Sequence, residues 1–140
     1  MIHGISFDLP QYELLFDIDY IFAWVNPDPP SEYFSFWVSP ATLVFRNAYD
    51  LKINIETGLG LQLQGIGRSE EREPRNAAYI KDKKEWKWTL EGNEGDISFY
   101  SVGFIQYTRQ YPKHIKRQSF TLEERIGISF ERPEKSKDVS

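Results

Sequence analysis

The chain has no cysteine. Disulfides and thiolate-held metals are excluded, and a reducing compartment is the expected setting. Histidine is scarce: His3 and His114 stand alone. They show no H-x-x-x-H spacing for zinc, and no G-x-S-x-G offers a nucleophile. Both are expected at the surface. No apolar run approaches the ~20 residues that span a bilayer as a helix. The longest, LLFDIDYIFAWV at 14–25, is short and carries two acids. The first residues, MIHGISFDLPQ, lack a basic region followed by an apolar core, so no secretory signal is expected and the cytoplasm is the expected location. Positive charge is not in excess either. The net charge of −4 disfavours sequence-independent binding to nucleic acid. The glycine pairs Gly58/Gly60 and Gly65/Gly67 have Leu63 and Glu70 where a dinucleotide loop needs its third glycine, and they read as turn and bulge glycines.

What is present is aromatic and alternating. A chain of 140 residues is one domain. Aromatics make up 16%, a share that suits strands and flat binding surfaces. Period-two runs recur: LKINIE, LQLQ, WKWTLE and IGISF each set apolar residues against polar ones. Eight strands are expected, at 13–25, 33–38, 41–46, 51–56, 61–67, 85–91, 97–107 and 126–131. Glycine turns at 57–60 and 91–96 join neighbours, and RNAYD at 46–50 joins two more. The expected fold is all-β, an antiparallel meander forming a barrel or sandwich. At most one short helix is expected near 121–125, where Thr121 and Glu124 fit a capping box. Residues 69–85 read as a long exposed loop. Residues 1–131 form the single domain, and 132–140 a polar tail.

The two acids inside the apolar run pose the sharpest question. On a strand, Asp17 and Asp19 share one face, while Phe16, Ile18, Tyr20, Phe22 and Trp24 share the other, the expected core side. Two strand positions span about 6.6 Å, within the carboxylate separation of inverting glycosidases, but any D-x-D on a strand gives this. A calcium loop would need a further acid where Ile21 stands. The plain expectation is that both acids are solvated, or paired with an arginine such as Arg46 or Arg68, and able to meet a partner. Tyr33 and Trp37 are expected on a wet face, alternating with a core pair, Phe34 and Phe36. The basic and aromatic stretch at 106–118, QYTRQYPKHIKRQ, reads as a loop after a strand, since the overall acidity weighs against a nucleic-acid groove.

Three stretches, FDIDYIFAWV, FSFWVSPATLVFRNAYDLKINI and ISFYSVGFIQYTRQ, resemble an uncharacterised family of small bacterial all-β proteins over about residues 7–131. The shorter pattern ATLVFRNAYDLKI also resembles strand pairs in all-β immunity proteins of bacterial toxin systems. These resemblances carry over no catalytic residue. The expected function is therefore a non-enzymatic binding protein of immunity or accessory type. It would contact a protein partner through Tyr33, Trp37, Asp17 and Asp19, without cofactor or metal. The alternatives are a small-ligand or carbohydrate-binding β-barrel, with Trp24, Trp37 or Trp86 lining a cavity, and a hydrolase using Asp17 and Asp19.

Overall fold

In the computed structural model the alternating runs stack as two antiparallel sheets. The structure describes residues 1–30, 33–56, 62–117, 120–121, 123–125 and 127–133, with Phe22 and Trp24 by backbone alone. One sheet contains β1 (Ile2–Asp8), β2 (Glu13–Val25), β3 (Ser35–Arg46) and β8 (Gly103–Thr108), in the order β1-β2-β3-β8, with the short β9 (Lys113–Ile115) beside the start of β3. The other contains β4 (Tyr49–Ile55), β5 (Leu63–Arg72), β6 (Glu85–Gly92) and β7 (Gly95–Ser101), in the order β4-β7-β6-β5. The sheets stay open at their edges, so the fold is a sandwich and not a closed barrel.

The core follows the alternation. Leu14, Phe16 and Ile18 of β2 and Ala41, Leu43 and Phe45 of β3 face Trp88, Leu90, Ile97 and Phe99 of the second sheet, all buried. Phe45 is the aromatic hub. Its ring meets Phe99 at 4.6 Å, Trp88 and Phe104 at 5.3 Å each and Phe16 at 5.9 Å. Truncating such a residue to Ala costs about 3–5 kcal/mol.

Consecutive strands form two meanders, β1-β2-β3 and β5-β6-β7. Apart from β9 on β3, the remaining pairings, β3 with β8 and β4 with β7, arise because the chain changes sheet twice at one corner. RNAYD makes one crossing and residues 101–103 the other. The Arg46 carbonyl ties them, accepting from Ser101 Oγ at 2.6 Å and from the Val102 N–H at 3.3 Å. Asn47, with φ 49°, occupies a left-handed conformation that Asn tolerates better than most residues.

Several boundaries differ from the sequence reading. The strands expected at 33–38 and 41–46 are one strand, β3. Pro40 does not break it because β9 pairs with Phe36–Val38 and β8 with Ala41–Arg46. Pro40 falls in the gap between these partners, where a missing N–H costs little. The strand expected at 97–107 breaks at Val102, in the corner. β5 runs on to Arg72, so the loop begins later than residue 69. β1 and β9 were not anticipated. Residues 127–131, expected as a strand, form no ladder. The capping box does form: the Thr121 N–H donates to Glu124 Oε1 at 3.0 Å and the Glu124 N–H to Thr121 Oγ1 at 3.2 Å. It closes a single turn rather than a helix. Arg117, bonded to both Glu124 oxygens at 2.8 Å, leads in pulling the Glu124 carboxyl down to about 2. The turn expected at 57–60, together with Leu61, Leu122, Ile126 and residues 134–140 of the tail, lies outside the described residues. No described helix is long and apolar enough to cross a membrane.

Candidate functional site

Asp17 and Asp19 point away from the inter-sheet core, as the alternation requires, but they are not solvated. Both side chains are fully buried because residues 120–121, 123–125 and 127–132 lie over the outer face of β2 and β3. Arg125, equally buried, reaches down between them. It donates from Nη1 to Asp17 Oδ2 at 2.5 Å, from Nε to Asp19 Oδ1 at 3.1 Å and from Nη2 to the Ile18 carbonyl at 3.1 Å. Arg109 bonds the other Asp17 oxygen and the Ser129 carbonyl. The backbone N–H groups of Ser129 and Phe120 donate to Asp17 and Asp19, each at 2.9 Å, and His3 Nε2 lies 2.7 Å from Asp19. His3 is therefore buried in a polar network, not a surface residue, whereas His114 is exposed. The arginine partners expected were Arg46 and Arg68; the actual ones are Arg109 and Arg125.

This geometry explains the acids. Sheets covered on both faces cannot leave backbone or side-chain polar groups unpaired. A segment without strand pairing must bond to side chains instead, and the two carboxylates supply its acceptors. Burial alone would raise the Asp17 carboxyl, but Arg125, Arg109 and the Ser129 N–H outweigh it and hold it below its ordinary range. For Asp19, burial is likewise outweighed by His3, the Phe120 N–H and Arg125. Neither acid holds a proton at neutral pH, and both are ringed by donors. They have no proton to give a leaving group and no open face from which to activate water. Nor do their side chains present surface to a partner. They clamp the C-terminal segment.

A second polar cluster lies on the outer face of the other sheet. Tyr49 and Tyr100 stack at 5.6 Å, Arg72 lies 3.6 Å over Tyr100, and Arg75 lies 4.4 Å over Tyr49. Glu85, fully buried beneath them, bonds the Tyr49 hydroxyl and, at 2.8 Å, Arg72 Nε, while its Oε1 has no hydrogen-bond partner among the described residues. Burial pushes its carboxyl up. Glu85 pairs with Arg72 and Asp50 with Arg75, so the stack is neutralised from within and offers little charge to a ligand.

The remaining feature is a cleft of about 510 Å³ where the two sheets part. Ile18, Tyr20, Leu43, Phe104 and Gln106, on the inner face of the β2-β3-β8 sheet, make its floor. Residues 62–66, leading into and along β5, make its wall. Tyr20, Ile66 and Phe104 are 40, 43 and 44% exposed. Ile18 and Leu43 beside them are buried, so these residues mark where the second sheet ends before the first. Gln62, Gln64 and Gln106 place carboxamides around this apolar surface. The volume lies within the range of small-molecule sites and of pockets that take a partner's side chain.

Trp37 belongs to the same uncovered face. It lies two residues from Ser39, the cross-strand neighbour of Tyr20, is 42% exposed, and stacks on His114 at 5.2 Å. Tyr33, just before β3, is 81% exposed. Both stand on wet surface as expected. Phe36 is buried against Val38 and Phe120, but Phe34, expected in the core, is 45% exposed because it precedes the strand. Trp86 does not line the cleft; it packs against the core beneath Arg68. The Trp24 side chain lies outside the described residues. Phe104 and Ile66 were missed because each sits on a core-facing strand position, and only the relative width of the two sheets exposes it. The repeated glutamines of LQLQ were the one local signal. Arg109, within the basic stretch, is consumed by Asp17 and is not free for a phosphate. Compared with protein-family models, curated proteins and solved structures, the chain matches none.

Proposed function

We propose that this chain is a non-enzymatic binding protein, acting in the bacterial cytoplasm by contact with another protein, with the cleft between the sheets as its site. The observation that carries the reading is the convergence of half-exposed Tyr20, Ile66 and Phe104 on one concave surface edged by carboxamides. Buried apolar anchors with polar neighbours are what supply energy at protein interfaces. Trp37 and Tyr33 extend the contact surface beyond the cleft. The likeness of ATLVFRNAYDLKI to immunity-protein strand pairs supports the immunity or accessory type.

A photo-crosslinking residue placed at Phe104 tests this in lysate of the source organism, with the same residue at Tyr79, which is 89% exposed at the end of the short 3-10 turn Ala77–Tyr79 and does not line the cleft, as control. Protein adducts are expected at 104 and not at 79. The cleft volume also favours a second reading, a small apolar or sugar ligand. That reading takes over if no protein is crosslinked at 104 while such a ligand raises the melting temperature.

A further inference from the structure

Resting on that reading, we propose that the cleft receives an extended, acid-bearing segment of the partner protein, which adds to the β4-β7-β6-β5 sheet as a further strand beside β5. Three observations combine. First, β5 is the last strand of its sheet, and no described residue pairs with its outer edge. Second, the inner face of the opposite sheet continues past β5 as the uncovered surface of Tyr20, Phe104 and Trp37. Sheet strands lie about 4.8 Å apart and packed sheets about 10 Å apart. A strand beside β5 would therefore lie over this floor, its alternate side chains entering the cleft. Such strand addition is a recurrent mode of peptide recognition.

The third observation concerns charge. Arg68 lies two residues beyond Ile66, on the same side of β5, over the Trp86 ring at 4.4 Å and the Trp88 ring at 5.9 Å. Among the described residues no carboxylate pairs with it, unlike Arg72 and Arg75 of the same region. Arg68 stands one same-side position beyond the lining residue Ile66 and over two indoles of β6; its guanidinium suits a carboxylate on the incoming strand. The segment should thus carry apolar residues at alternate positions, facing Ile66 and Phe104, and an Asp or Glu opposite Arg68.

The test uses random decapeptides displayed on phage and selected on the immobilised full chain. Enriched peptides should alternate apolar residues and carry an acid. A synthetic copy should slow amide exchange within residues 64–69. Arg68→Glu should weaken it about tenfold or more, the scale of one close charge pair, and a peptide with Lys in place of the acid should restore binding to that variant. Circular dichroism and unchanged urea midpoints confirm that the variant is folded. The proposal is overturned if no peptide is enriched, if bound peptides leave exchange in β5 unchanged, or if the charge swap restores nothing. It is also overturned if sedimentation shows the chain pairing with itself through β5. Protein crosslinks at residue 104 without β5 protection would keep the binding reading and reject the added strand.

Discussion

Replacing Arg125 by Met tests the account of the two aspartates most directly. Methionine retains the aliphatic stem, so the change removes charge and donors more than volume. Arg125 gives hydrogen bonds to Asp17, Asp19 and the Ile18 carbonyl beneath the C-terminal segment, and to the Gly127 carbonyl within it. Taking one partner from a buried ion pair costs about 3–5 kcal/mol, because the charge left behind stays desolvated. The lower end is expected, since Asp17 keeps Arg109 and the Ser129 N–H, and Asp19 keeps His3 and the Phe120 N–H. A domain of this size has roughly 5–15 kcal/mol in hand, so the variant should fold. With a urea slope of about 2 kcal/mol/M, a loss of about 3 kcal/mol lowers the midpoint by about 1.5 M. Tryptophan fluorescence reads the midpoint, and amide exchange at 120–131 reads the segment itself. Exchange there should accelerate more than in the inter-sheet core. Adding 1 M salt should change the deficit little, because the cluster is shielded from solvent ions. A loss below about 1 kcal/mol with an unchanged slope would refute the clamp.

Three further outcomes follow from the same geometry. The folded-state carboxyls of Asp17 and Asp19 lie below their unfolded values, so their contribution is complete above about pH 4. It is lost as pH falls through the folded values, and Asp17→Asn with Asp19→Asn should flatten that acid limb in pH-dependent urea titrations. Glu85 behaves oppositely. Its carboxyl is raised in the fold, so stability should decline as pH rises through that value, and a Glu85→Gln chain measured from pH 4 to 7 should lack the decline. Any side chain at Gly4 meets Ile128 Cγ2 at 2.8 Å and Phe130 Cζ at 3.0 Å. Gly4→Val should cost about 1–3 kcal/mol by overpacking, seen as faster exchange at 127–131 with the inter-sheet core unchanged.

Local chemistry was enough for most of the strands and for the absence of long helices among the described residues. Alternation in 13–25, 85–91 and 51–56 is a property of neighbouring residues, and a period of two permits only one kind of half-buried element. The sandwich core was legible for the same reason. The alternation also put Asp17 and Asp19 on the face opposite Phe16 and Ile18. What covers that face was not legible. The partners of Asp17 and Asp19 lie 92 to 108 residues away at Arg109 and Arg125, and nothing in a D-x-D or a TLEER pattern encodes a meeting at that separation. Ser129 and Glu131 alternate like a strand yet bond to side chains, because β2 and β3 already had strand partners on both sides. The cleft depended still more on tertiary structure. Phe104 and Ile66 have the sequence signature of core residues, and they are half-exposed only because the β4-β7-β6-β5 sheet ends at β5 while the sheet opposite continues. Sheet width is set by which strands pair across the whole chain, a long-range outcome that no single stretch contains.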